Sequence, residues 1–304
     1  MLTLKNVTKR YGSFVAVKEV SFTVPQGSIY GLVGYNGAGK TTLLKTIAGV
    51  YLPDEGSITM DGHSVHSGLG PWHSPFIVAD EPYFLPQATP NLMRSFYRGY
   101  YPTWDDGVYE RLLNLFKLDP QARIGEFSKG MQKQTVLALA LATGSRCLLL
   151  DESFDGLDLG RRNLFKRLFR RYATEREAVI ILSSHNLREL EDAVDRIGMI
   201  KERRLTFDLT VKEMHQRYQK YRLQVPDNKD SAAIHDLLTN SPAVRWMQFE
   251  ENTCTFFVDT WTEDIVLRLN EAGMPAPETL EATLEEIFLD KEEVDPVGLE
   301  GIFG

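Results

Sequence analysis

Residues 34–42 read Gly-Tyr-Asn-Gly-Ala-Gly-Lys-Thr-Thr, a spacing suited to gripping a chain of phosphates. Gly34, Gly37 and Gly39 admit backbone conformations that a Cβ forbids. Successive N–H groups, those of Asn36 and Ala38 among them, can then converge on phosphate oxygens. Lys40 adds a point charge, and Thr41 offers the hydroxyl expected on Mg²⁺. Thr42 continues into a helix expected over residues 43–49, whose positive end faces the anion. A P-loop must follow a buried strand and precede a helix, and Ser28-Ile29-Tyr30-Gly31-Leu32-Val33 is a short apolar run of the strand kind. That context argues against a chance glycine-rich turn.

Three further stretches end in groups that could act on such a phosphate chain. Cys147-Leu148-Leu149-Leu150-Asp151-Glu152 is an apolar run closed by two carboxylates, and open α/β sheets bind ligands at the carboxyl ends of their strands. Asp151 is expected to hold Mg²⁺, a hard cation that takes oxygen ligands. Glu152 is expected to orient the attacking water as a base. A helix N-cap explains one acid but not the pair. Residues 178–185 repeat the pattern, a buried strand ending in His185, read here as a γ-phosphate sensor rather than a structural histidine. Ser128-Lys129-Gly130-Met131-Gln132 opens a strong helix whose free N–H groups would suit an anion, although Ser before a helix is also the ordinary N-cap. Tyr11 lies upstream of the glycine loop, where an aromatic ring can stack on adenine or simply occupy a turn.

The elements that must position these groups form an α/β P-loop core with an antiparallel β patch and an inserted helical subdomain. A small C-terminal α+β module follows. Short strands are expected at residues 2–4 and 21–24, either side of the Tyr11-Gly12 turn, and another at 57–60. Residues 63–127 read as an insertion with an amphipathic helix over 108–118, and the helical part of the core spans about 80–145. His63, His66 and His73 in this stretch lack acidic or cysteine partners at ligand spacing and read as solvated loop. Further helices are expected at 161–174 and 187–194, and a closing hairpin at 196–206. The nucleotide-binding part thus covers residues 1–209. In 210–304 helices are expected at 211–219, 231–238, 262–272 and 280–289, with strands at 221–225, 244–249 and 253–258. Acids outnumber bases in this module, and residues 294–304 read as a flexible tail.

A chain of 304 residues with 43% hydrophobic and 25% charged residues is an ordinary globular protein long enough for two cores. Its net charge of −8 sets the global field against nucleic acid. Cys147 and Cys254 each lie in an apolar run, as core residues of a reducing compartment would. No apolar run approaches the roughly 20 residues of a membrane span.

In this order, the motifs make residues 1–210 resemble the nucleotide-binding subunit of an ATP-binding cassette (ABC) transporter. Residues 34–42 match the Walker A loop and residues 147–152 the Walker B strand with its following glutamate. Ser128 to Gln132 is similar to the family signature, Gly156-Leu157-Asp158 to the D-loop and His185 to the switch histidine, while Tyr11 occupies the place of the adenine-stacking aromatic. The resemblance implies ATP and Mg²⁺ as cofactors and ATP hydrolysis as the activity. It implies a head-to-tail dimer, with itself or a paralogue, in which Ser128 and Gly130 of one chain close on ATP held by Lys40 of the other. It also implies a transmembrane permease subunit as partner and a place at the cytoplasmic face of the cell membrane. The Tyr-Tyr-Pro-Thr-Trp-Asp segment, the signature and the appended module look most like exporters of antibiotics and peptides.

Three departures stand out: Tyr35 in place of a proline, Lys129 and Met131 in the signature, and Asp80 where the family has a glutamine. Asp80 is expected to take part of that glutamine's work as a Mg²⁺ ligand, with Gln87 as the alternative residue for this loop. Two other classes compete. A soluble cassette protein of ribosomes or DNA would carry tandem P-loops or long coiled coils. A small-molecule kinase would leave Ser128, Asp158 and His185 unexplained.

Overall fold

The computed structural model describes residues 1–67, 75–190, 192–226, 231–260 and 263–288. It divides into two compact units, Met1–Leu209 and Thr210–Gly304. His73 and the expected tail fall outside the described residues.

The first unit opens with β1 (Leu2–Tyr11) and β2 (Phe14–Val24), paired antiparallel. β3 (Ile29–Val33), α1 (Lys40–Ile47), β4 (Glu55–Met60) and β5 (His63–Ser64) follow. β1 and β2 are far longer than the short segments expected. Register shifts interrupt their ladder, and Asn6 and Glu19 take left-handed φ values of 49° and 53°. Such bulges break the period-two alternation that marks a strand in sequence.

Next come β6 (Phe76–Val78), α2 (Pro90–Tyr100), α3 (Asp106–Phe116), a 3₁₀ turn (Ile124–Glu126) and α4 (Lys129–Ala142). β6 is too short to announce itself by periodicity. α2 is set by its ends, since Thr89 accepts from the Leu92 N–H and Pro90 occupies the first turn. α3 starts two residues before the expected 108 because Asp105 caps it, accepting from the Val108 N–H at 2.9 Å. β7 (Cys147–Leu150), α5 (Leu159–Arg176), β8 (Val179–Ser184), α6 (Leu187–Leu190), β9 (Arg196–Lys201) and β10 (Arg204–Thr210) complete the unit. α6 ends at Leu190, four residues short of the helix expected to 194.

Two sheets result. One has the order β2-β1-β4-β5, and the other β10-β9-β3-β8-β7-β6. In the second, β9, β3, β8, β7 and β6 run parallel. β3, β7 and β8 are buried at every residue, as strands covered on both faces must be. One core joins the sheets: Leu2, Val20 and Phe22 pack with Leu32, Leu43, Ile47, Leu149 and Ile181. The carboxyl ends of β3, β7 and β8 carry the glycine loop, Asp151 with Glu152, and His185.

The second unit holds α7 (Val211–Arg217), β11 (Tyr218–Gln224), α8 (Ser231–Thr239), β12 (Val244–Glu250), β13 (Thr253–Asp259), α9 (Glu263–Glu271), β14 (Glu278–Leu280) and α10 (Leu284–Phe288). Its sheet has the order β12-β13-β11-β14, antiparallel throughout. Leu223, Ile234, Leu238, Phe256, Val258, Ile265 and Leu269 form its core. The helix expected over 280–289 is replaced at its start by β14, where Leu280 pairs with Lys220. A three-residue edge strand has no alternation to read. Both cysteines are free and buried, and burial pushes the thiols of Cys147 and Cys254 up to about 12 and about 11.

Candidate functional site

The glycine loop leads directly into α1, and Lys40 is already a helical residue, three positions before the expected start. Gly39 makes this possible. Its φ is 108°, and a Cβ there would lie 2.4 Å from the carbonyl oxygen of Ala16. The Ala38 N–H donates to the Tyr35 carbonyl at 3.1 Å and closes the loop. Lys40 is 5% exposed. Its Nζ donates to the Gly34 carbonyl at 2.6 Å and pairs with Glu152 Oε1 at 3.1 Å. The ammonium therefore lies inside the cradle, held by oxygens that a phosphate can replace.

At the next residue, Thr41 Oγ1 donates to Asp151 Oδ2 at 2.7 Å. Asp151 is buried at the end of β7, and its other oxygen accepts from Ser183 Oγ at 2.5 Å. A hydroxyl and a carboxylate oxygen side by side form a donor set of the hard kind that Mg²⁺ takes, so the residues fit that ion. Ser183 also accepts from the Glu152 N–H at 3.1 Å and so ties both acids to β8. Sequence reading gave Ser183 no role. Its one signal was a polar residue at the end of an otherwise apolar strand.

Glu152 has φ 45°, a left-handed conformation that costs an L-residue of order 1–3 kcal/mol. Its Oε1 meets Lys40, and its Oε2 accepts from the His185 backbone N–H at 3.3 Å and faces His185 Nδ1 at 3.0 Å. His185, expected as a γ-phosphate sensor, thus meets Glu152 where β7 and β8 end. One ligand atom from each of Glu152, Asp155 and His185 falls within 4.8 Å of the others. Lys40, Thr41, Asp151, Glu152 and His185 are gathered at one edge of the parallel sheet.

The remaining residues have local partners. Ser128 caps α4 and accepts from the Met131 N–H, and Asp158 caps α5, accepting from the Arg161 N–H at 2.9 Å. Gly130 lies under the Arg161 guanidinium, 2.7 Å from where its Cβ would be. Gln132, expected at the nucleotide, donates instead to the carbonyls of Ile124 and Phe127 at 3.3 and 3.1 Å and pins the 3₁₀ turn before α4. Tyr11 ends β1 half-exposed, its ring edge-on to Tyr51 at 5.8 Å. His63 is exposed and His66 half-buried.

Asp80 lies two residues beyond β6. Its carboxylate is 49% exposed and pairs with Lys133 Nζ at 3.2 Å, not with the Thr41–Asp151 pair. An ammonium therefore offsets the like-charge repulsion expected among Asp80, Asp151 and Glu152. Gln87 is exposed with φ 59°. Beside Asp80 opens a cleft of about 370 Å³, lined by Lys129, Gly130, Lys133, Asp155 and Gly156 among others.

A glycine loop on a parallel sheet, a hydroxyl–carboxylate pair and a glutamate at the strand end define a P-loop nucleotide hydrolase. The sequence profile of the ABC transporter family matches residues 17–155. The bacitracin transport ATP-binding protein BcrA of Enterococcus faecalis is 31% identical over 247 residues, 77% of each chain. The Nod factor export ATP-binding protein I of Burkholderia orbicola is 37% identical over 67% of this chain and 68% of its own. A solved ATP-binding subunit of an ABC transporter superposes with a TM-score of 0.63 at 25% identity, over 70% of this chain and 91% of its own. The chain belongs to the ATP-binding proteins of ABC transporters, and it is an ATP hydrolase.

Proposed function

We propose that this chain is the ATPase subunit of an exporter. In this reading it works as a head-to-tail pair, with a second copy or a paralogue, at the cytoplasmic face of the cell membrane. A separate transmembrane permease carries the cargo, whose class is antibiotic or peptide. Two relatives whose names state export support this reading: beside the Nod factor protein stands the SkfA peptide export ATP-binding protein SkfE of Bacillus subtilis, 30% identical over 71% of this chain and 92% of its own. The observation that carries the chemistry is the convergence of Lys40, Thr41, Asp151, Glu152 and His185 on one sheet edge.

Each residue then has a task. The N–H groups of residues 34–42 take the phosphates, and Lys40 Nζ exchanges the Gly34 carbonyl for phosphate oxygen. Thr41 Oγ1 and Asp151 would hold Mg²⁺, which when bound neutralises charge developing on the phosphates. Glu152, released from Lys40, accepts the proton of the attacking water, while His185 Nδ1 steadies its Oε2. Ser128, Gly130 and Asp158 act across the pair on the partner's nucleotide, and Tyr11 stacks on adenine.

Mixing two inactive variants tests the pair. Lys40→Met spoils the cradle, and Gly130→Asp spoils the face presented to the partner. Each alone is expected to be inactive. Mixed, random pairing places both faults in one site of half the dimers and leaves the other intact, so up to about a quarter of parental turnover returns. No recovery in a mixture that still dimerises contradicts the head-to-tail arrangement.

A further inference from the structure

The left-handed turn at Glu152 must be held by its surroundings, because a glutamate does not choose φ 45° unaided. On its N–H side the anchor is Ser183. On its carbonyl side it is Lys133, a residue of α4 to which the phosphate chemistry gives no task. Lys133 Nζ donates to the Glu152 carbonyl at 3.1 Å and to the Asp155 carbonyl at 3.0 Å, and it pairs with Asp80 Oδ1 at 3.2 Å. An ammonium has three protons, and these contacts use all three. The Asp155 N–H returns to the Glu152 carbonyl at 3.2 Å, so the ammonium closes a turn whose two carbonyls face the same way.

We infer that Lys133 is a positioning residue for hydrolysis, with Asp80 as its counter-ion. It fixes the peptide that follows Glu152 and thereby aims the carboxylate between Lys40 and His185. The inference rests on Glu152 being the general base. Only a carbonyl separates the ammonium from the backbone that carries that base, and a displacement of about 1 Å at a reacting group can cost on the order of 100-fold in rate. The loop after β6 is thus joined to Glu152 through a cation of the chain itself. Asp80 is 49% exposed beside the 370 Å³ cleft, whereas the Lys133 side chain is 16% exposed. The charge pair has its acid toward solvent and its base toward the turn.

The test uses the full chain and reads kcat and KM for ATP separately. Lys133→Met keeps the aliphatic stem and removes all three donors. Its kcat is expected to fall about 10- to 100-fold, as when the support of a functional ligand is removed, while KM stays within about threefold. Lys133→Arg keeps donors on the carbonyls, though its planar fork cannot place three contacts around one point. It is expected to recover most of the lost kcat, and Lys133→Gln, which carries two donors and no charge, stands in with the same expected loss if Lys133→Met fails to fold. The deciding measurement places each variant in a Glu152→Gln background and follows residual single-turnover hydrolysis. A residue acting only through Glu152 has nothing left to lose there, so the loss seen in the parent is expected to vanish. An equal fractional loss in both backgrounds overturns the inference, as does parental kcat in Lys133→Met or its stand-in. The base assignment fails separately, by parental turnover in Glu152→Gln itself.

Discussion

The two sides of the proposed nucleotide site are built on different principles. On the glycine-loop side, the shape is set by backbone, and the side chains allowed there are dictated by steric fit: Gly39 cannot carry a Cβ, and a Cβ on Gly34 would lie 2.6 Å from the Ile200 carbonyl. On the side formed by residue 80, α4 and the turn after β7, the backbone is held by the reach of one long side chain. Lys133 gathers three oxygens from two segments far apart in sequence, the loop at Asp80 and the turn of Glu152 and Asp155. Backbone-built sites leave a fixed spelling in the sequence, whereas reach-built sites leave none.

The largest effect should follow from breaking the first side. Lys40→Met leaves the largely covered Glu152 carboxylate without its ammonium and removes the charge proposed to meet the phosphates. Stripping one partner from a buried pair costs about 3–5 kcal/mol. ATP affinity measured by titration calorimetry should fall by at least about 100-fold, and near-parental affinity would mean that the ammonium does not contact the nucleotide.

A smaller loss is expected where the two sides share support. Ser183→Ala unties Asp151 and Glu152 from β8 without touching the cradle. Turnover should drop about 10- to 100-fold with ATP affinity little changed. Equal loss of affinity and turnover would place Ser183 in binding instead.

On the second side, Asp80→Ala should be mild. The carboxylate is half exposed and paired with Lys133, and such pairs contribute about 0–1 kcal/mol. The Mg²⁺ concentration for half-maximal hydrolysis should stay within about twofold of the parent. A large rise would restore Asp80 to the metal and remove it from Lys133.

These contrasts show what was legible in the chain. The glycine loop, the paired acids, His185 and the cap Ser128 could be named because each sits at the end of a strand or the start of a helix, where type and position coincide, whereas Asp158 was named only through the family resemblance. The α/β class followed from the same alternation of apolar runs and loops. β1 and β2 were cut short by bulges, β6 and β14 were too brief for periodicity, and the start of α1 was misplaced because Gly39 lets the helix begin at Lys40. Ser183 and Lys133 escaped notice because an ordinary serine and lysine acquire their tasks only from what the fold brings to them.

The smallest effect separates the catalytic unit from the C-terminal one. In the latter, burial works to raise the Asp259 carboxyl, yet hydrogen bonds from Arg217 and Arg245 hold it below its usual value. A depressed carboxyl contributes stability that is full above the unfolded value, near 3.9, and lost as pH falls through the folded one. Asp259→Asn should therefore lower the melting temperature of this unit by a few degrees at pH 7, and the difference should begin to narrow as pH falls below about 4. ATP turnover should be unchanged throughout, and a turnover defect would tie this carboxylate to the catalytic unit.

The central claim is that Glu152 is the base of an ATP hydrolase. Glu152→Gln keeps the size of the side chain and removes its capacity to accept the proton. Radiolabelled ATP followed over a single turnover, with binding measured on the same preparation, gives the direct reading. The account predicts retained ATP binding and hydrolysis slowed by about 100- to 10,000-fold, the range of general-base catalysis. Hydrolysis near the parental rate in a variant that binds ATP normally would contradict it.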